Sequence, residues 1–222
     1  MKAGFFVAGT DTGVGKTTFA AALLGRFRAL GLRVAGMKPV AAGTEAGRNQ
    51  DVEALIAASS PGLDRALACP YLFEPPVAPH LAAAEAGVQI DLDRIEKSFR
   101  RLSGENEIVV VEGVGGFRVP LNGREDAADL AQRLALPVIL VVGMRLGCLN
   151  HALLTQEAIR ARGLPLAGWV ASRIDPHMAR AEENIGALRE RLRAPLIAEV
   201  PYGPPTEFPV RLEPLWPVPG SR

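Results

Sequence analysis

An apolar run at residues 5–8 passes directly into Gly9-Thr10-Asp11-Thr12-Gly13-Val14-Gly15-Lys16-Thr17-Thr18, a junction that few folds can hold. Its glycines free the backbone to turn N–H groups inward around an anion, and a helix opening at Lys16 adds the positive end of its dipole. Lys16 can then reach the β and γ phosphates of a nucleotide, and the Thr17 hydroxyl can coordinate Mg2+. Five residues rather than the usual four separate Gly9 from Gly15. The Gly15-Lys16-Thr17 core is intact, and a strand precedes it as such a loop requires. A chance Gly-Lys-Thr at an exposed helix start is the plain alternative.

The rest of the chain repeats the strand–helix rhythm that this junction begins. Apolar runs at residues 33–38, 108–111, 138–142, 166–170 and 196–200 are too continuous for a half-exposed strand and predict strands buried on both faces. Amphipathic segments lie between them: from Lys16 to about Leu30, then 51–58, 92–102, 126–134, 150–162 and 178–192. Asp51, Asp91 and Asn150 stand where helix caps are favoured. The alternation predicts a doubly wound α/β fold, a mainly parallel sheet with helices on both faces, of the phosphate-loop (P-loop) NTPase type. Ligands in such folds sit beyond the carboxyl ends of the strands.

Two segments break the rhythm. Residues 59–90, rich in Ala, Pro and Gly, predict an excursion over the strand ends. From about residue 203 the chain is proline-rich, which excludes a central strand or a long helix and predicts an irregular surface tail. The 222 residues are read as one domain, since two comfortable ones would not fit.

Composition narrows the function. Net charge is +1, so no broad basic field invites nucleic acid or an anionic membrane, and phosphate recognition must be local. Cys69 and Cys148 have neither disulfide nor zinc spacing and read as buried thiols. Without a signal peptide or an apolar stretch of transmembrane length, the cytoplasm is the expected compartment.

Three further residues suit a nucleotide site. Glu112 ends the 108–111 strand, and Gly113, Gly115 and Gly116 after it permit close backbone approach. Asp51 opens a helix. With Thr17, these two carboxylates are a hard oxygen set for Mg2+, although each could equally be a helix cap or rim charge. Lys38 ends another buried strand, fixed there by Pro39. It is either a snorkelling lysine or a second cation beside Lys16.

Together these stretches resemble dethiobiotin synthetases. The likeness covers residues 9–17, 36–40, Arg48-Asn49 with Asp51, Pro79-His80, residues 111–116 and 137–143, Leu146-Gly147-Cys148-Leu149-Asn150-His151-Ala152 and Gly168-Trp169-Val170-Ala171. Unrelated nucleotide enzymes share the loop, so residues 146–152 are the more specific part. The resemblance implies ATP-dependent closure of a cyclic urea on diaminopelargonic acid, with CO2 entering as a carbamate that ATP phosphorylates. It implies that Gly13, Val14, Gly15, Lys16, Thr17 and Thr18 hold the triphosphate, beside Gly113, Val114 and Gly115. Thr17, Asp51 and Glu112 would hold Mg2+, with Lys16 and Lys38 catalytic. Ser172, Arg173, Pro201, Tyr202 and Gly203 would meet the base. Thr12, Lys38 and Ala42 would meet the substrate, joined by Gly147, Cys148, Leu149 and Asn150 of a neighbouring subunit in a homodimer. His80 could line the substrate pocket or be structural.

Two positions depart from the resemblance. Ala42 stands where the family often has a substrate-contacting serine, with Thr44 a candidate replacement. Ser172 stands where the family reads adenine with an asparagine, and a hydroxyl cannot make the same paired hydrogen bonds. The main alternative activity is that of an ATPase switch of the partitioning or septum-positioning class. Those carry an extra lysine early in the loop, where this chain has Thr10 and Asp11. A glutamine-dependent amidating synthetase would need a further domain that 222 residues cannot hold.

Overall fold

The computed structural model describes residues 3–203 and 207–215; Trp216, which could anchor the tail, lies outside them. Six parallel strands form the central sheet in the order β2-β5-β1-β6-β7-β8: β1 (Ala3–Gly9), β2 (Val34–Met37), β5 (Ile108–Glu112), β6 (Val138–Met144), β7 (Leu166–Arg173) and β8 (Leu196–Val200). The order reverses on either side of β1, so the strand that leads into the glycine-rich loop also sits where the crossovers change direction. That places the loop at the crevice such sheets offer to ligands.

The side-chain period of a strand divides the apolar residues into two cores. Phe5 and Val7 of β1, with Ile108 and Val110 of β5, face α1 (Lys16–Ala29) and α2 (Gln50–Ala58). Phe5 stacks on Phe27 of α1, ring centroids 6.2 Å apart. Phe6 and Ala8, with Val109 and Val111, face the opposite way. There they meet α5 (Leu92–Glu105), α6 (Ala127–Leu134), α7 (Cys148–Ala161) and α8 (Ala181–Arg191). Trp169 is wholly buried in this second core, as its place in a strand implies. Cys69 and Cys148 are buried free thiols.

The excursion is more ordered than its composition suggests. It holds a one-turn α3 (Arg65–Ala68), β4 (Tyr71–Phe73) and α4 (Pro79–Glu85). β4 pairs in parallel with β3 (Val40–Ala42), a short strand that follows Pro39 and forms a second sheet. The excursion begins along the edge of β2. Ser60 Oγ accepts from Val34 N–H (2.9 Å) and Ser59 Oγ from Gly36 N–H (2.8 Å). Two hydroxyls therefore stand in for a seventh strand and leave the edge no free donors at these positions. Gly36 itself is required by close approach, since a Cβ there would lie 2.9 Å from Leu55 Cβ.

Other boundaries also move. Gly147, in the left-handed region at φ 94°, caps α7, so Asn150 lies inside the helix rather than at its cap. α8 starts after Arg180, later than its amphipathic pattern suggests. Among the described residues of the tail, Val210 makes an antiparallel bridge to Ala198 of β8, and Glu213–Leu215 form a 3-10 turn.

The Ser59 substitution tests the edge closure. Ser59→Ala leaves the buried Gly36 N–H without an acceptor and should cost about 1–3 kcal/mol. The expected readout is a lower urea midpoint at unchanged slope.

Candidate active site

The glycine-rich loop joins β1 to α1 with Gly13 at φ 70° and Gly15 at φ 85°. Any other residue would be strained at both positions. Gly15 caps α1 with no side-chain hydrogen bond, and no acidic residue lies in the first turn. The helix thus presents unsatisfied N–H groups and an uncompensated positive end to whatever the loop encloses. Val14 turns inward and is buried against Gly143, so only its backbone can serve a ligand.

Lys16, 6% exposed, folds back to donate to the Asp11 carbonyl at 2.8 Å. Burial, and then the nearby Lys38 ammonium, lower its pKa from 10.5 to about 8. Asp11 is held in turn: its carboxylate accepts from Thr12 N–H (2.7 Å) and pairs with Arg145 (2.6 Å).

Glu112, 1% exposed, is the last residue of β5. Its Oε1 accepts from the Thr17 hydroxyl at 2.9 Å and from the Lys38 ammonium. Lys38, just beyond β2 and 5% exposed, also reaches Asp51 Oδ2 at 3.1 Å and the Gly113 carbonyl at 3.4 Å. Burial alone would depress the Lys38 pKa, but the Glu112 and Asp51 carboxylates outweigh it and raise it. For Asp51, burial is likewise outweighed, by the Lys38 charge and the Thr17 hydroxyl, and its pKa falls. Asp51 is aimed by Asn49, which caps α2 by accepting from the Asp51 and Val52 N–H groups and donates to the Gly43 carbonyl at 2.7 Å.

Lys16, Thr17, Lys38, Asp51 and Glu112 therefore converge on one cleft of about 700 Å³. Thr12, Gly13, Gly15, Thr18, Ala42, Val114 and Gly115 line it as well. Three oxygen-bearing groups meet there, and Glu112 Oε2 is buried with no partner among the described residues. This hard, all-oxygen set with one unsatisfied acceptor fits a small divalent cation such as Mg2+. Among the described residues no group of three or more His, Cys, Asp and Glu is placed to bind a metal.

A second lobe of about 250 Å³ shares Gly13, Gly15 and Thr18 with the first. Ser172, Arg173, Pro201, Tyr202 and Gly203 line it, joined by Phe208 from the tail. The Arg173 guanidinium is engaged by Glu182 and Glu199, in that order the causes that raise its pKa against the opposing effect of burial.

Some expected residues fall elsewhere. Gly147, Cys148, Leu149 and Asn150 lie at the start of α7, outside both lobes of the same chain, and the buried Cys148 presents no side chain. Thr44 does not line the cleft; the polar group beside Ala42 is Asn49, whose Nδ2 lies 3.4 Å from the Ala42 carbonyl. His80 does not line it either, although its Nδ1 is buried and has no partner among the described residues. Residues 76–79 form one wall, in keeping with the expected excursion over the strand ends and the Pro79-His80 stretch of the resemblance; Val119, which also lines the cleft, carried no signal in the sequence.

Two relatives decide the family. A dethiobiotin synthetase BioD, described as ATP-dependent, from Aromatoleum aromaticum is 61% identical over 204 residues, covering 89% of this chain and 90% of its own. The same-named protein of Nitrosospira multiformis is 56% identical over 202 residues, covering 91% and 89%. This chain belongs to the dethiobiotin synthetase family. A family model described as an AAA domain matches residues 3–210. Among solved structures, the septum site-determining protein MinD of Pyrococcus horikoshii, complexed with Mg-ADP, has a TM-score of 0.57 at 15% identity, covering 92% of this chain and 83% of that one. At that distance the synthetase family shares its fold, a doubly wound P-loop sheet, and no more follows.

The lowered Lys16 pKa gives a proton signature. Phosphate oxygens beside Lys16 would restore its charge, so the bound pKa exceeds the free value of about 8. Triphosphate binding at pH 8.5–9 should take up protons and weaken as pH rises through about 8. Calorimetry in buffers of different ionisation enthalpy measures the uptake, which Lys16→Arg should abolish because arginine stays charged.

Proposed function

We propose that the chain is an ATP-dependent cyclo-ligase that makes dethiobiotin, a step of biotin biosynthesis. The observation that carries this reading is the pairing of two buried lysines, Lys16 and Lys38, at the mouth of an open helix N-terminus, in a chain 61% identical to a named synthetase.

Diaminopelargonic acid adds CO2 through one amine, losing a proton and becoming a carbamate. A carbamate oxygen attacks the γ-phosphorus of ATP; ADP leaves, and a mixed carbamic–phosphoric anhydride forms. The second amine attacks the carbamoyl carbon, the C–O bond to phosphate breaks, and the ureido ring closes with loss of phosphate and a proton. Anion meets anion in the phosphoryl step, so charge compensation and alignment dominate over proton transfer. Lys16, with the loop N–H groups and α1, offsets the triphosphate. Lys38 faces the same cleft from the other wall and offsets the carbamate. Thr17, Asp51 and Glu112 would hold Mg2+, which supplies further charge neutralisation at the β and γ phosphates. Thr12, Ala42 and residues 76–79 bound the space left for the diamine.

The carboxylate end of the diamine is assigned to Gly147, Cys148, Leu149 and Asn150 of a second copy, in a homodimer. The open start of α7, its position outside the chain's own cleft and the 95% exposure of Leu146 support this. Among the described residues no helix is long and apolar enough to cross a membrane; a cytoplasmic enzyme of one domain is the reading that fits.

Phosphate release from ATP should depend on both diaminopelargonic acid and bicarbonate; hydrolysis indifferent to the diamine would instead favour the switch class. Lys16→Ala and Lys38→Ala should each lower diamine-dependent release by about 10²–10³-fold or more, and full activity in either would remove that lysine from the mechanism. Because Ser172 offers one hydroxyl to the base, GTP and CTP should support turnover within about tenfold of ATP, a difference worth ~1.4 kcal/mol. Comparison of kcat/KM for the three nucleotides measures it.

A further inference from the structure

Lys38 occupies an unusual place for a group whose proposed task is to face a substrate. Its ammonium contacts Glu112 Oε1, lies 3.1 Å from Asp51 Oδ2 and is 3.4 Å from the Gly113 carbonyl. Those two carboxylates, with Thr17, are the cation ligands of the preceding reading, on which this inference rests. The Thr17 hydroxyl donates to the same Glu112 Oε1 that Lys38 holds. One oxygen thus serves both the ammonium and the cation's hydroxyl ligand. Glu112 Oε2 is left buried and without a partner among the described residues, so the single charge of Lys38 does not satisfy the site. Glu112 is wholly buried while Asp51, on the other side of the same ammonium, is half-exposed; a carboxylate buried like Glu112 is costly without a cation, and a dication compensates the pair better than an ammonium can.

We propose that Lys38 is the built-in counter-cation of the metal site, and that entry of the divalent cation displaces it from Asp51 and Glu112, freeing it to turn to the substrate. The ammonium is thereby withheld from the substrate until the site is loaded. An ammonium on a four-carbon stem suits this, being a compact charge that moves by rotamer change alone. Arginine would be held by its fork, and a neutral residue would leave the carboxylates uncompensated.

The test needs neither nucleotide nor diamine, so it can fail while diamine-dependent phosphate release succeeds, and the reverse. Mn2+ alone is titrated into the full chain, with the free ion followed by electron paramagnetic resonance. Lys38→Met should bind Mn2+ at least tenfold more tightly than the wild type, and Asp51→Asn in the Lys38→Met background should remove the gain. The thermal midpoint of Lys38→Met should be lowered without metal and restored by Mn2+ or Mg2+, whereas the wild type should shift little. Equal or weaker Mn2+ binding in Lys38→Met overturns the proposal. If that variant does not fold even with metal, the wild type decides. Reductive methylation read by mass spectrometry should modify Lys38 faster, relative to the surface Lys97, once Mn2+ is present, and an unchanged ratio at saturating Mn2+ overturns the exchange.

Discussion

A carboxylate stands at the end of a strand that otherwise reads Ile-Val-Val-Val, with 1% of its surface exposed. A charge so placed is tolerated only where other groups meet it. Glu112 is met by Lys38 from beyond β2 and by Thr17 from the first turn of α1, while Asp51 from α2 holds the other side of Lys38. Three separate pieces of chain must arrive in register for one buried side chain to be compensated. The register of β5 between β2 and β1, which sets Met37 beside Val111 and Val7 beside Glu112, is therefore also the register of the site. Packing fixes the chemistry here, because the sheet that buries the apolar strands also delivers their polar ends to one crevice.

How much of this was legible in the sequence depended on the kind of signal. The six central strands could be read because burial on both faces demands continuous apolar runs, and the loop because few backbones other than glycine's can wrap an anion. Lys38, Asp51 and Glu112 were legible as polar residues at strand or helix ends that could join the loop, and the resemblance supplied the role of each. β3 and β4 were not legible: each is three residues long, too short for a period to show, and their pairing is a tertiary event. Nor was the role of Ser59 and Ser60, since two serines after a helix look like any turn until the strand edge they cover is known. Asn150 misled for a related reason. It is a good capping residue in the abstract, but Gly147 adopts the left-handed backbone that begins α7 three residues earlier.

The likeness to MinD at 15% identity marks what the scaffold alone carries. A phosphate loop on β1 and a parallel sheet are common property of the fold, and function must be argued from the side chains grafted on it. In this chain those are the second lysine, the Asn49-aimed Asp51 and the proline-bearing wall at residues 76–79. The excursion that breaks the strand–helix rhythm thus does two things: it closes an edge of the sheet and supplies a wall of the cleft.

The bridge between Val210 and Ala198, with Arg211 N–H donating to the Ile197 carbonyl at 2.8 Å, reaches beyond tidiness at the margin of the sheet. β8 is the outermost strand on that side, and an uncovered outermost strand is a template on which another molecule could stack. The returning chain occupies those positions and carries Phe208 into the second lobe on the way. Protection from self-assembly and completion of a binding surface are therefore fastened by the same stretch of backbone. A proteolytic nick before residue 208 would impair solubility and ligand recognition together.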